Sequence, residues 1–106
     1  MTKKRAKKES DIQSAIVRSL TQEGWTVIRL LSSNTRGWPD LLVIRGGRVI
    51  FLEVKRPGES PTPIQHMRHA ELRRQGIIVA VVRSVQEAEE ACTSPCPLRS
   101  PTPPPA

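Results

Sequence analysis

Gly46-Gly47 sits between two apolar runs, Asp40–Ile44 and Val49–Val54. Paired glycines take the positive φ angles of a tight hairpin turn at no steric cost, so the runs are predicted to fold back on each other as antiparallel strands. With a two- or four-residue loop centred there, pairing runs outward from Arg45 with Arg48, through Val43 with Ile50, to Asp40 with Glu53. A three-residue loop or a bulge would break that register. Alternation puts Leu42, Ile44, Val49 and Phe51 on one face and Leu41, Val43, Ile50 and Leu52 on the other. Both faces are apolar and both need cover. The expected class is therefore α/β, a small α/β/α sandwich around a central mixed sheet.

The flanking sequence supplies the cover. Ser10-Asp-Ile-Gln13 has the form of a capping box, followed by Ile12, Ala15, Ile16 and Leu20 at helical spacing and by Gly24 as a stop. Trp25–Leu31 reads as a first strand and Ser32–Gly37 as a polar loop. A second helix is predicted from Thr62, with Pro63 at its first position, Gln65 completing a capping box, and Arg73, Arg74 and Gly76 at its end. Ile77–Val82 is wholly apolar, a strand expected to be buried on both faces, and Ser84-Val-Gln-Glu87 opens a last helix that fades by Cys92. The predicted order is α-β-β-β-α-β-α. Residues 1–8 form a basic arm, 9–92 the folded domain and 93–106 a low-complexity tail carrying six of the ten prolines.

A net charge of +7, with five of the seventeen Lys/Arg in Lys3, Lys4, Arg5, Lys7 and Lys8, calls for a polyanionic partner. No apolar run approaches the roughly 20 residues of a membrane span, and the basic N-terminus precedes no apolar signal segment. Aromatics at 3% of residues leave a membrane-surface helix without bulky anchors, so the partner expected is nucleic acid and the compartment the cytoplasm. Cys92 and Cys96 form a lone pair without the second pair a four-ligand zinc site needs, and read as ordinary thiols.

The hairpin register makes one demand of its own. Asp40 and Glu53 would face each other on neighbouring strands, ~5 Å apart between Cβ atoms, where like charges repel and apolar surroundings sharpen the repulsion. A divalent cation between them removes that cost, and a carboxylate pair with open positions suits Mg²⁺ or Mn²⁺. Lys55, two residues beyond Glu53, lies on the same face. An ammonium there can orient an attacking water or offset charge on a scissile phosphate. It suits a general base less well, because two nearby anions keep it charged. The plain alternative is that all three are solvated strand-end residues.

Gly37-Trp-Pro-Asp40 followed by Glu53-Val-Lys55 resembles the PD-(D/E)xK nuclease superfamily, and more closely its VRR-NUC family of virus-type replication-repair nucleases. Glu9, Ser33, Asn34, Gln65 after Ser60-Pro-Thr-Pro, and Val82-Arg-Ser84 add to the likeness, which runs from Glu9 to Glu90. The resemblance implies a restriction-endonuclease-like fold and a DNA endonuclease that hydrolyses phosphodiesters with a divalent metal. It implies metal ligation by Asp40 and Glu53 with the Val54 carbonyl as a further ligand, Lys55 as the catalytic lysine, and Glu9 and Gln65 as auxiliary active-site residues. Small stand-alone members are similar to phage-encoded homodimers that resolve four-way (Holliday) junctions, which would place this chain in a bacterial host cell.

Several positions carry two readings. Gln65 is already accounted for as a cap, and Glu9 as an acid favoured at a helix start. Arg36 could touch a DNA phosphate or be a solvated loop residue. Trp38 could stack on a base or cover the core. His66 and His69 read as surface or satisfied residues. A single site per domain means that symmetric cutting of a junction needs two subunits. The rival expectations are a non-catalytic DNA-binding module on the same fold, and a nuclease of single strands or RNA.

Overall fold

The computed structural model describes residues 8–30 and 36–94. Lys3, Lys4, Arg5 and Lys7 of the basic arm, the loop residues Ser33 and Asn34, Cys96 and the proline tail lie outside them. The elements follow the predicted order: α1 (Glu9–Gln22), β1 (Thr26–Arg29), β2 (Leu41–Arg45), β3 (Arg48–Val54), α2 (Pro63–Arg74), β4 (Ile78–Val82) and α3 (Val85–Thr93). The four strands form one sheet in the order β1-β2-β3-β4. The β1–β2 and β2–β3 pairs are antiparallel and β3–β4 is parallel, so the sheet is mixed as expected. A parallel pair needs a crossover, which α2 supplies.

Gly46 and Gly47 both have positive φ, and the register they set is the predicted one from Arg45↔Arg48 to Leu41↔Leu52. Period-2 alternation then separates the two faces. Leu41, Val43, Ile50, Leu52 and Val54 are fully buried against Ile12, Ile16 and Leu20 of α1 and Ala88 and Cys92 of α3. This is the apolar core. The opposite face is covered less evenly: α2 packs towards β4, while Ile28 keeps 41% and Val49 37% of its surface exposed, and Leu42, Ile44 and Phe51 are half-buried. The sandwich is present but thinner on this side.

Three local expectations shift. The first helix starts at Glu9, with Lys8 as its cap residue in place of Ser10; Asp11 turns back to accept the Lys8 N–H at 3.3 Å. In α3 the Ser84 hydroxyl accepts the Glu87 N–H as expected, but the Glu87 carboxylate reaches one residue further back and accepts from the Arg83 N–H. β4, expected to be buried on both faces, is an edge strand: Val79 and Val82 are buried and Ile78, Ala80 and Val81 only half so. A wholly apolar run did not distinguish an edge strand clasped by helices from a central one. Among the described residues no helix is long and apolar enough to cross a membrane.

Candidate active site

The sequence Arg36-Gly-Trp-Pro-Asp40 delivers Asp40 to the start of β2. Gly37 has φ +86°, and a Cβ there would lie 2.8 Å from the Ile64 carbonyl oxygen and 2.9 Å from Cγ of Arg68. Only glycine lets this loop lie so close to α2. Arg68 fastens the same segment from the helix side. Its Nε donates to the Arg36 carbonyl at 3.0 Å and its guanidinium stands over the Trp38 ring at 5.6 Å. Trp38 is thus half-buried under an arginine, and Arg36 is exposed.

At Asp40 the hairpin ladder changes. The predicted register would pair Asp40 with Glu53, but the regular pairing ends at Leu41↔Leu52. The Asp40 N–H donates to the Leu52 carbonyl at 3.1 Å, one residue out of step, and the Asp40 carboxylate accepts the Val54 N–H at 2.8 Å. A side-chain oxygen has taken the place of a backbone carbonyl. The Asp40 carbonyl meanwhile accepts from Leu30 N–H at 2.8 Å, extending the pairing with β1. Asp40 is therefore held from both neighbouring strands. Its charge still acts on Glu53.

Glu53 points to the opposite face from Leu52 and Val54 and is fully buried. Burial pushes its carboxyl up to about 9, and the Asp40 charge and hydrogen bond push the same way. Both Glu53 oxygens meet side chains from α2: Gln65 Nε2 donates to Oε2 at 3.3 Å, and His69 Nε2 lies 3.1 Å from Oε1. Burial, then the nearby charge of Arg73, lower the His69 pKa and favour the neutral imidazole. Gln65 does both things that the sequence offered as alternatives. Its Oε1 accepts the Thr62 N–H at 2.9 Å while its own N–H is capped by the Thr62 hydroxyl, and its Nε2 is left for Glu53. His69 is the member that sequence reasoning assigned no site role. Its signal was the four-residue spacing from Gln65, which puts both on one helix face.

Lys55 follows on the strand that carries Glu53, is only 9% exposed, and lowers the Glu53 pKa by its charge. Its N–H donates to the Val82 carbonyl, which ties this end of β3 to β4. Glu9, at the first turn of α1, has its pKa raised by burial and by Asp40, against the pull of Lys55. The structure therefore brings Glu9, Asp40, Glu53, Lys55 and Gln65 into one neighbourhood. Val54 contributes its N–H to Asp40. Lys8 and Arg36 are exposed, His66 is exposed, and Cys92 lies in the core, where burial pushes its thiol up to about 11.

A buried carboxyl beside a second carboxyl is a site that a cation would relieve, so Asp40 and Glu53 fit a divalent ion. Among the described residues no three His, Cys, Asp or Glu gather to cage one. The fit is to an ion that accepts two carboxylates and keeps other positions for water, backbone or phosphate oxygens, which is the habit of Mg²⁺.

Known proteins carry the same frame. The family described as archaeal Holliday junction resolvase (Hjc) matches residues 4–84. "Putative nuclease p44" of Acyrthosiphon pisum secondary endosymbiont phage 1 is 38% identical over 78 residues, covering 73% of this chain and 84% of that protein. A solved VRR_NUC domain superposes with a TM-score of 0.73 at 31% identity, over 84% of this chain and 98% of its own. A second VRR_NUC domain protein, at 17% identity and a TM-score of 0.71, covers 83% and 87% and shares the fold. The chain belongs to the archaeal Holliday junction resolvase (Hjc) family, as a small nuclease built on the VRR-NUC fold.

Proposed function

We propose that this nuclease is a divalent-metal-dependent DNA endonuclease acting on branched DNA, four-way junctions above all, as a homodimer in the cytoplasm of a host cell. The observation that carries the reading is the carboxyl pair: a fully buried Glu53 in contact with Asp40, with Lys55 beside them. Asp40 and Glu53 would hold Mg²⁺ or Mn²⁺, with the Val54 carbonyl as a further oxygen. The bound ion would supply an activated water and offset charge on the scissile phosphate. Lys55, buried on the same strand, places an ammonium where an attacked phosphate would build up charge. Gln65 orients Glu53, and Glu9 extends the acidic edge of the site from α1. Trp38 and Arg36, on the loop leading to Asp40, would contact a strand entering the site.

The arm from Lys3 to Lys8 contributes affinity without specificity, because clustered lysines release counterions from any phosphate backbone. The described fold carries one such carboxyl pair, so symmetric incision of a junction requires two protomers. The test is purified full-length protein with Mg²⁺ or Mn²⁺ on labelled linear, flapped, forked, four-way, single-stranded and RNA substrates. Sedimentation of the junction complex is run beside it. Metal-dependent paired cuts on four-way DNA by a bound dimer are expected. Binding without cleavage would assign a non-catalytic module, preference for single strands or RNA would replace the substrate, and one protomer cutting both strands would remove the dimer.

A further inference from the structure

We propose that His69 is a positioning residue for metal binding, fixing through its Nε2–H which side of the Glu53 carboxylate is offered to a cation. The inference rests on Glu53 being a metal ligand, as argued above. An ionised carboxylate has two oxygens and about four lone-pair directions, all acceptors. Once Glu53 is ionised, as a bound cation requires, His69 Nε2 must be the donor, so the imidazole is then held as the Nε2–H tautomer. His69 at Oε1 and Gln65 at Oε2 then occupy the side of the carboxylate facing α2. The remaining lone pairs are left for an ion shared with Asp40, whose charge acts on Glu53.

The two tethers are not equivalent. Gln65 is half-buried at 3.3 Å, and its amide oxygen is already committed to capping α2. His69 is 1% exposed and holds at 3.1 Å, so its hydrogen bond does not compete with bulk water. A glutamate released on that side regains side-chain rotamers, which a cation would have to freeze again on binding. Partners that orient a metal ligand typically matter at about 10–100-fold in metal affinity when removed.

The variants are chosen by where they place a donor. The Nε2 of Gln coincides with the Nε2 of His, so His69→Gln keeps an N–H at the right reach. His69→Asn carries its N–H too short, and His69→Leu fills the space with carbon and no donor. Calorimetric titration of the full-length proteins with Mn²⁺, alongside melting in EDTA, reads metal affinity apart from catalysis. His69→Leu and His69→Asn are expected to bind Mn²⁺ about 10–100-fold more weakly, with His69→Gln close to wild type. The half-saturating Mg²⁺ for cleavage should rise in the same two variants while the rate at saturating Mg²⁺ changes little. Should His69→Leu not fold, the contrast between Asn and Gln decides. Equal Mn²⁺ affinity in Asn, Gln and wild type overturns the positioning role, as does a His69→Gln protein as weak as His69→Asn. A wild-type protein that binds no Mn²⁺ overturns the metal reading itself, and is recognised by that protein alone.

Discussion

α1 sends Ile12, Ile16 and Leu20 into the sheet, whereas the side chain that α2 buries is His69. The two helices flank the same four strands. One is held by aliphatic side chains meeting Leu41, Val43, Ile50, Leu52 and Val54. The other is held by directed polar contacts: Gln65 and His69 to Glu53, Arg68 to the Arg36 carbonyl, and Arg73 to the Val79 carbonyl at 2.8 Å. The hydrophobic effect is non-directional and scales with area, so the α1 side can supply stability without specifying an angle. Hydrogen bonds add little net stability each but fix geometry. The arrangement separates the two tasks, and α2 is docked by the groups that shape the site.

Five substitutions and one change of pH probe that division. The largest effect belongs to Asp40→Asn, which removes one of the two carboxylates proposed to hold the ion and should reduce cleavage of junction DNA in Mg²⁺ to background. Binding to the same DNA in Ca²⁺ or EDTA should be kept, since a negative charge near phosphate is lost. Wild-type cutting by this variant would overturn the site. Next comes Ile16→Ala, fully buried on the α1 side, expected to cost about 2–5 kcal/mol and to lower Tm by roughly 10 °C or more. Met67→Ala on α2, at a position 56% exposed, should stay within about 0.5 kcal/mol. Similar losses at both would erase the distinction between the helices.

Gly37→Ala should cost about 1–3 kcal/mol through its positive φ. Because the new Cβ pushes against the Ile64 carbonyl, cleavage should fall further than stability accounts for. A variant with wild-type cleavage would show that the loop need not lie against α2.

The last effect is a pH slope. Glu53 sits at about 9 when folded against an ordinary value of 4.5, so the folded state holds a proton that the unfolded chain releases. Its stabilising contribution is present below pH 4.5 and is lost as pH rises towards 9, with a slope of at most about 1.4 kcal/mol per pH unit for one proton. Melting in EDTA should therefore drop between pH 5 and pH 9, and Glu53→Gln should flatten the curve. An unchanged slope in Glu53→Gln would place the proton elsewhere.

The sequence and the structure agree most closely where one local rule is enough. Gly46-Gly47 and period-2 alternation set the register from Arg45↔Arg48 to Leu41↔Leu52, and Thr62-Pro63 with Gln65 set the start of α2. The departures come where a side chain competes with the backbone. Asp40 substitutes its carboxylate for a carbonyl and ends the ladder one pair early, and Asp11 moves the start of α1 to Glu9.

The register that carries both acids to the same end of the hairpin was thus fixed by the chain itself, as far as Leu41↔Leu52, because a two-residue turn and a two-residue repeat leave the strands no other in-register solution that buries both faces. The family motif Asp40, Glu53, Lys55 and the order of elements were legible for the same reason. What only tertiary structure decided is how α2 is rotated and how closely it docks. Helical spacing says that Gln65 and His69 share a face, but not that this face meets Glu53. That depends on Gly37 admitting the helix to within van der Waals contact of the loop and on the parallel β3–β4 crossover setting its position. The sequence contains the donors and the acceptor, and long-range packing brings them to hydrogen-bonding distance.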